Sequence, residues 1–484
     1  MTLLAKNWIN GQWTDSQKHT DSINPATYEV IGQYADATES DAQAAIDAAK
    51  SAFLNSTWKD DRALRAKVLH ELADGFERHA DALIDILSTE NGKVRGEATF
   101  EVNMVPAKLR YAAAVTMTDY GRALEPKPGS FSIVLKQAMG VAGVITPWNS
   151  PIVLMIRSLA PALAAGATTV IKMPGQSAQT SALMSKIFSE APSVPQGVIN
   201  LFSESGPDGS KLLISSPDVP VISFTGSTGT GRAISAVGSR YLKRFGMELG
   251  GKTPMILFND ANLDLALPKL EKALTTFAGQ FCMTGSRLLV QQGIADQVRD
   301  LLAKRLQNVK VGPAADPSSD MGPLIDKANV ERVNSIVEKA IQAGAKVLVR
   351  GGPVREGKLS EGAFYQPTLL EVADNKMDIV QQEVFGPVLT LQVFETEEEA
   401  IALANDNEYG LAASIWTSDV NRPLRVAREI DAGTIWINDW AVIYDEFEEG
   451  GFKQSGLGRL NGLAAIDDFI EYKHITLTSG LVGH

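Results

Sequence analysis

The chain has 484 residues, 44% of them hydrophobic and 21% charged, enough to bury a large core and, by size, to form two or three domains. Lys plus Arg number 45 against 57 Asp plus Glu, a net charge of −12, and no basic stripe is interleaved with aromatics, so nucleic acid is not an expected partner. One cysteine, Cys282, excludes an internal disulfide framework, and five scattered histidines (His19, His70, His79, His474, His484) offer no clustered ligand spacing, so no metal is expected.

The N-terminal "MTLLAKNWINGQW" lacks a long apolar run followed by a small-residue cleavage site, and no uncharged run approaches membrane-spanning length; a soluble, cytoplasmic protein with no membrane partner is expected. Ala-rich segments with helical spacing, "ESDAQAAIDAAKSAF" and "RALRAKVLHELADGFERHADALIDILSTENG", come first. Short β-branched runs follow: "GVAGVIT", "TTVIKM", "VPVISFTG" and "TPMILF". This alternation predicts an α/β fold with parallel strands. The stretch "SFSIVLKQAMGVAGVIT" (130–146) packs its extended runs close together and predicts an antiparallel excursion, and "DDFIEYKHITLTSG" reads as a helix end and then a strand.

Three stretches, "GVITPWNSP" (143–151), "IKMPGQSAQT" (171–180) and "FTGSTGTGRAI" (224–234), each place loop residues between a strand-like and a helix-like run. In a doubly wound sheet such turns gather at the carboxyl edge, where a dinucleotide lies against backbone N–H groups at helix N-termini. Any one of them alone could simply punctuate the fold. They occur together with "MELGGKTP" (247–254), "GQFC" (279–282) and "QQEVFGPVL" (381–389).

The order of "TPWN", Lys172, "FTGS", "ELGGK", "GQFC", "EVFGPV" and "GGFKQSGLGR" resembles the aldehyde dehydrogenase superfamily over nearly the whole chain. The resemblance implies a modified Rossmann cofactor domain, an α/β catalytic domain carrying the thiol, and a small antiparallel bridging sheet used in oligomers, a dimer or a homotetramer built as a dimer of dimers. The boundaries expected are 1–119 with 139–250 for NAD(P) binding, 251–440 for catalysis, and 120–138 with 465–484 for oligomerisation. It also implies oxidation of an aldehyde to the acid. An aldehyde does not readily lose hydride until a nucleophile makes it tetrahedral, and a thiolate does so while leaving a thioester that water can cleave. Cys282 is the nucleophile in this reading; as a buried cysteine it could otherwise be a small hydrophobe, but Gly279, Gln280 and Gly285 suggest backbone kept clear for something to approach. Glu248 is the base for the thiol or the deacylating water, and Asn149 joins the Cys282 N–H in holding the oxyanion. For the cofactor, the resemblance implies Ile145, Thr146, Pro147, Trp148, Phe224, Thr225, Gly226, Ser227 and Leu249 around the dinucleotide. Lys172 contacts the adenosine ribose, Glu383 the nicotinamide ribose and Phe385 the nicotinamide.

The departures concern cofactor and substrate. Where many members carry a glutamate for the 2′-hydroxyl of NAD, this chain has Gly175, which predicts that NADP is tolerated beside NAD. Ser158 and Leu460 replace a lysine and a glutamate common near the base; losing both charges is self-consistent, and the proton route of Glu248 is expected to differ. Arg157 and Glu449 stand where tunnel aromatics are common. Arg157 as a fork for a carboxylate predicts a small semialdehyde acid, succinic- or malic-semialdehyde-like. The competing readings are that Arg157 pairs with Glu449 or another acid and narrows the tunnel, that the acids of "YDEFEEGG" favour a betaine-aldehyde-like cation, or that Trp148, Phe281 and Trp440 hold an aromatic aldehyde. Outside this class stand a thiol hydrolase or esterase and a non-catalytic structural protein; neither needs the nicotinamide clamp of "EVFGP" and Lys172.

Overall fold

Runs apolar on both faces make strands that must be covered on both sides, and helices between them do the covering. A computed structural model describes residues 4–482 and shows this arrangement; positions 1–3 and 483–484 of the expected segments lie outside the described residues. In the larger sheet the strands Val30–Asp36, Ile199–Glu204, Thr168–Pro174, Val141–Ile145, Val221–Thr225 and Arg244–Glu248 lie side by side and parallel, and Gly456–Leu457 closes the edge antiparallel to Arg244–Glu248. A second, seven-stranded sheet runs Lys346–Val349, Thr368–Glu371, Val388–Phe394, Arg287–Gln291, Pro254–Leu257, Ala412–Trp416 and Thr434–Ile437, parallel except at its first strand.

The third sheet is small and antiparallel: Arg122–Lys127, Ser130–Ala138 and Ile470–Thr478. It leaves Leu124, Phe131, Ile133, Tyr472, Ile475 and Leu477 exposed. The antiparallel excursion expected over 130–146 thus ends at Ala138. Val141–Ile145, all buried, belongs to the parallel sheet, because a strand with no polar face needs cover on both sides.

The helix Pro151–Ala165 follows the strand Val141–Ile145. Pro151 supplies a preset φ at its first turn, Gly166 ends it in the left-handed conformation (φ 95°), and residues Pro151 to Ala164 are all buried, so the polar Arg157 and Ser158 are carried into the interior. The expected helical run over 62–92 is two helices, Arg62–Arg78 and Ala80–Asn91. They break at His79, whose ring bonds Glu190 at 2.7 Å; no glycine or proline marks the break. Among the described residues no helix is long and apolar enough to cross a membrane.

Candidate active site

Cys282 lies beyond the helix Leu263–Thr275, after a tight turn in which Phe277, Ala278 and Gly279 all have positive φ (53°, 54° and 71°). Non-glycine residues in that region cost of order 1–3 kcal/mol each, so the turn persists only because its surroundings fix it. The surroundings are visible at the glycines. A Cβ on Gly279 would fall 2.3 Å from the Gly386 carbonyl carbon, one on Gly251 2.4 Å from the Cys282 carbonyl oxygen, and one on Gly285 2.4 Å from Met255 Sδ. The backbone around the thiol is therefore kept clear for other parts of this chain: what approaches Gly279 and Gly285 is the Gly386 backbone and Met255.

The same contacts tie the motifs together. Gly251 N–H donates to Glu383 Oε1 (3.2 Å), and a Cβ on Gly250 would meet Glu383 Oε2 at 2.6 Å, so "ELGGK" seats both Cys282 and Glu383. Burial pushes the Glu383 carboxyl up to about 7, against the Gly251 N–H and the cations Lys252 and Arg332. Arg332 donates to the carbonyls of Val384 (2.9 Å) and Phe385 (3.3 Å), which steadies Phe385 at φ 52°. Trp148 meets the Phe385 ring edge-on, centroids 5.5 Å apart.

Asn149 is buried and donates one amide N–H to the Gln280 carbonyl (3.0 Å), and Gln280 is pinned in turn by the Ile325 N–H (2.9 Å). The Asn149 amide is thereby fixed beside the thiol segment. Glu248 ends its strand opposite Thr225 and Gly456, and its Oε1 is buried without a hydrogen-bond partner. Burial pushes its carboxyl up to about 8; Arg157 and Arg459 draw it down while Glu449 and Asp468 push it up.

Cys282 is half-buried and lines a cavity of about 470 Å³, in the usual range for small-molecule sites. Its lining is mostly carbon: Phe100, Phe277, Phe281 and Trp440 supply rings, and Val153, Leu154, Val442 and Ile443 supply alkyl surface. Phe281 packs edge-on against Phe277 (5.6 Å) and Trp440 (5.8 Å). Arg157 and Glu449 line the cavity too, but they pair with each other, Nη1 to Oε2 at 3.1 Å, both buried. One nitrogen of the guanidinium expected to hold a substrate carboxylate is thus engaged by an acid of this chain, as in the competing reading, while Nε and Nη2 are buried without a partner. Burial pushes the Cys282 thiol up to about 12, with Arg157 opposing and Glu449, Glu383 and Glu248 adding to the rise.

The remaining expected residues gather at the carboxyl ends of the parallel strands. Ile145 and Phe224 are buried there, and Thr146 donates to the Lys172 carbonyl through N–H (3.1 Å) and Oγ1 (3.0 Å); Pro147 continues that turn. The strand of Phe224 and Thr225 leads through Gly226, which packs on the Phe224 ring, to Ser227, the cap of the helix Thr228–Gly238. Leu249 packs against Gly231 of that helix. Lys172 is mostly buried and reaches Glu204 only at 3.9 Å, leaving an ammonium weakly engaged at the sheet edge. Burial holds its pKa below the ordinary lysine range. This edge, with a helix N-terminus and a loosely paired cation, suits a dinucleotide.

Gly175 has a reason that the sequence did not disclose. A Cβ there would lie 2.2 Å from Tyr34 Oη, so the phenol already fills the place where a side chain would begin. A cavity of about 270 Å³ beside it is lined by Tyr34, Gln176, Ser205 and the acids Asp21, Glu90 and Asp326, with no lysine or arginine among the described residues lining it. Gly175→Ala is expected to destabilise the protein by about 1–3 kcal/mol through overpacking, a cost expected to shrink when the same change is made in a Tyr34→Ala background. Denaturant unfolding of the single and double variants measures this; a neutral Gly175→Ala would mean that Tyr34 moves freely.

Comparison with known proteins places this geometry. A model described as the aldehyde dehydrogenase family matches residues 13–475. A betaine aldehyde dehydrogenase of Bacillus subtilis (strain 168) is 37% identical over 472 residues, 97% of this chain and 96% of that protein. A (Z)-2-((N-methylformamido)methylene)-5-hydroxybutyrolactone dehydrogenase of Acinetobacter baylyi is 35% identical over 473 residues, 97% of this chain and 96% of that protein. A crystal structure of a Staphylococcus aureus betaine aldehyde dehydrogenase point mutant in complex with NAD+ has a TM-score of 0.96 at 34% identity, covering 99% of this chain and 97% of that one.

Proposed function

The chain belongs to the aldehyde dehydrogenase family, and on that premise we propose that it oxidises an aromatic aldehyde to the carboxylic acid with NAD+, through a thiohemiacetal and then a thioester on Cys282. The observation that carries this reading is the ring-lined cavity that includes Cys282, in which the one buried guanidinium, Arg157, is already paired to Glu449. An aromatic aldehyde buries its ring among Phe100, Phe277, Phe281 and Trp440 and brings its carbonyl to the thiol. The semialdehyde acid expected from the sequence is disfavoured here because Glu449 already sets a buried negative charge against Arg157, beside which a second carboxylate would be repelled.

In this reading Cys282, as the thiolate, attacks the carbonyl carbon. Asn149 has one amide N–H on Gln280 and directs the other, with the Cys282 N–H, at the oxygen on which charge develops. NAD+ supplies the hydride acceptor. The acyl group then remains on Cys282, and Glu248 takes a proton from the water that cleaves the thioester, releasing acid and thiol. Lys172 and Glu383 hold the two riboses, Ile145–Trp148, Phe224–Ser227 and Leu249 line the dinucleotide, and Phe385 backs the nicotinamide. NAD is preferred over NADP here: a 2′-phosphate near Gly175 would face Asp21, Glu90 and Asp326, and the lysine that reaches this cavity's Ser205, Lys18, is already paired with Asp36. The exposed apolar face of the small sheet supports an oligomer, a dimer or dimer of dimers, and the three sheets support the expected division into domains.

The name of the Bacillus relative favours a second reading, a quaternary ammonium aldehyde held by cation–π contact with the same rings. Against it, Lys108, Lys269, Lys272 and Arg157 among the lining residues outnumber Glu97, Glu101 and Glu449. Reduced-nicotinamide formation with benzaldehyde-type, trimethylammonium and semialdehyde-acid substrates tests all three. The aromatic class is expected to have the highest kcat/KM by tenfold or more, about 1.4 kcal/mol; a semialdehyde acid or the ammonium aldehyde in first place overturns the assignment.

A further inference from the structure

Ser158 and Leu460 are both buried and neutral: Ser158 Oγ is bonded by Ser223 Oγ (2.9 Å), and Leu460 faces Glu449 across an antiparallel bridge with two backbone hydrogen bonds of 2.7 Å. The residue opposite Leu460 is thus the acid Glu449, and the residue before Ser158 on its helix is the cation Arg157. These two charges are joined as a buried ion pair at 3.1 Å. Resting on the reading of Cys282 as the nucleophile, we propose that Arg157 is the counter-charge of the Cys282 thiolate and that Glu449 is the positioning residue that aims and tempers it.

Arg157, Glu449 and Cys282 line one cavity. Only one guanidinium nitrogen is used: Arg157 Nε and Nη2 are buried with no partner, as are Glu449 Oε1 and Glu248 Oε1. A buried guanidinium with unfilled donors favours an anion that forms beside it, and the thiolate is the anion this site must form. Glu248 abuts the same segment, since a Cβ on Gly450 would stand 3.1 Å from its Oε1. Glu449 is held from behind: Asn461 Nδ2 donates to its Oε2 (3.1 Å), Lys108 Nζ donates to Asn461 Oδ1 (3.2 Å), and Lys108 pairs with Asp445 near the surface. The charged groups acting on the thiol are Arg157, which favours the thiolate, and Glu449, Glu383 and Glu248, which oppose it. Those acting on Glu248 are Arg157, Arg459, Glu449 and Asp468. The two ends of one ion pair therefore act on the thiol with opposite sign.

That opposition separates an electrostatic role from a structural one. The test is the pH dependence of Cys282 alkylation by iodoacetamide in the full-length protein at pH values well below the thiol's midpoint, where the rate follows the thiolate fraction and rises about tenfold per pH unit, a readout independent of turnover. Arg157→Met is expected to displace this line up by about one pH unit, tenfold slower alkylation at a fixed pH, and Arg157→Lys to restore part of the shift. Glu449→Gln is expected to displace it down. The double variant Arg157→Met/Glu449→Gln strands neither charge and is expected between the two; it keeps the test readable if a single variant fails to fold. Lines that do not move, or that move the same way when either end is removed, overturn the proposal. Loss of turnover in Cys282→Ser is a separate measurement, so failure of the nucleophile assignment is distinguishable from failure of this one.

Discussion

Cys282→Ser is expected to lose aldehyde-dependent NAD+ reduction by more than about a thousandfold while still binding NAD+. The site makes even the thiol hard to ionise: it is pushed up to about 12 by burial, with Glu449, Glu383 and Glu248 against it. An alcohol is harder still to ionise, so the substitution removes the nucleophile without removing the site. Serine is nearly isosteric, and the contacts that order this segment, Gly279 against Gly386 and Gly251 against the Cys282 carbonyl, are made by backbone. Unfolding free energy is accordingly expected within about 0.5 kcal/mol of the parent. Steady-state kinetics with NAD+ titration by fluorescence checks both parts, and retained turnover refutes the nucleophile assignment.

Glu248→Gln is expected to separate the two halves of the reaction. The carboxyl is held up to about 8, so in the parent protein turnover is expected to rise through pH 8 as the base form accumulates. Glutamine cannot take the proton from water at any pH. Thioester cleavage should fall by about 10²–10⁴-fold, the range for general-base catalysis, while one equivalent of reduced cofactor per site still forms as a burst. The steady-state rise through pH 8 should flatten. Stopped-flow absorbance separates the phases, and equal loss of burst and steady state would move Glu248 to thiol activation.

The parts legible in the sequence were those written as contiguous motifs. "TPWN", "FTGS" and "ELGGK" follow strand-like runs, and the carboxyl edge of a parallel sheet collects such turns whatever the intervening helices contain. Long-range reasons were not legible. Nothing near Gly175 announces that Tyr34, well over a hundred positions away, fills its side-chain space. Arg157 illustrates the same limit. A tunnel arginine fits a substrate carboxylate or an internal acid equally well until the chain is folded, and only the bridge between Glu449 and Leu460 sets which acid is near. Gly279 and Gly285 signalled close approach, but not that the approaching groups are Gly386 and Met255. Arg332, which holds the Phe385 loop by two carbonyls, carries no local signal in "NVERVNS" beyond that of an ordinary helix charge.

In the proposed mechanism the aldehyde carbon becomes an acyl group on Cys282. Acid-quenched Glu248→Gln, mixed with NAD+ and an aromatic aldehyde, traps that acyl group for peptide mass spectrometry. The acyl mass is expected on the peptide containing Cys282, dependent on NAD+ and absent in Cys282→Ser. Reduced cofactor formed in one-to-one amount with no acyl mass on that peptide would contradict this mechanism.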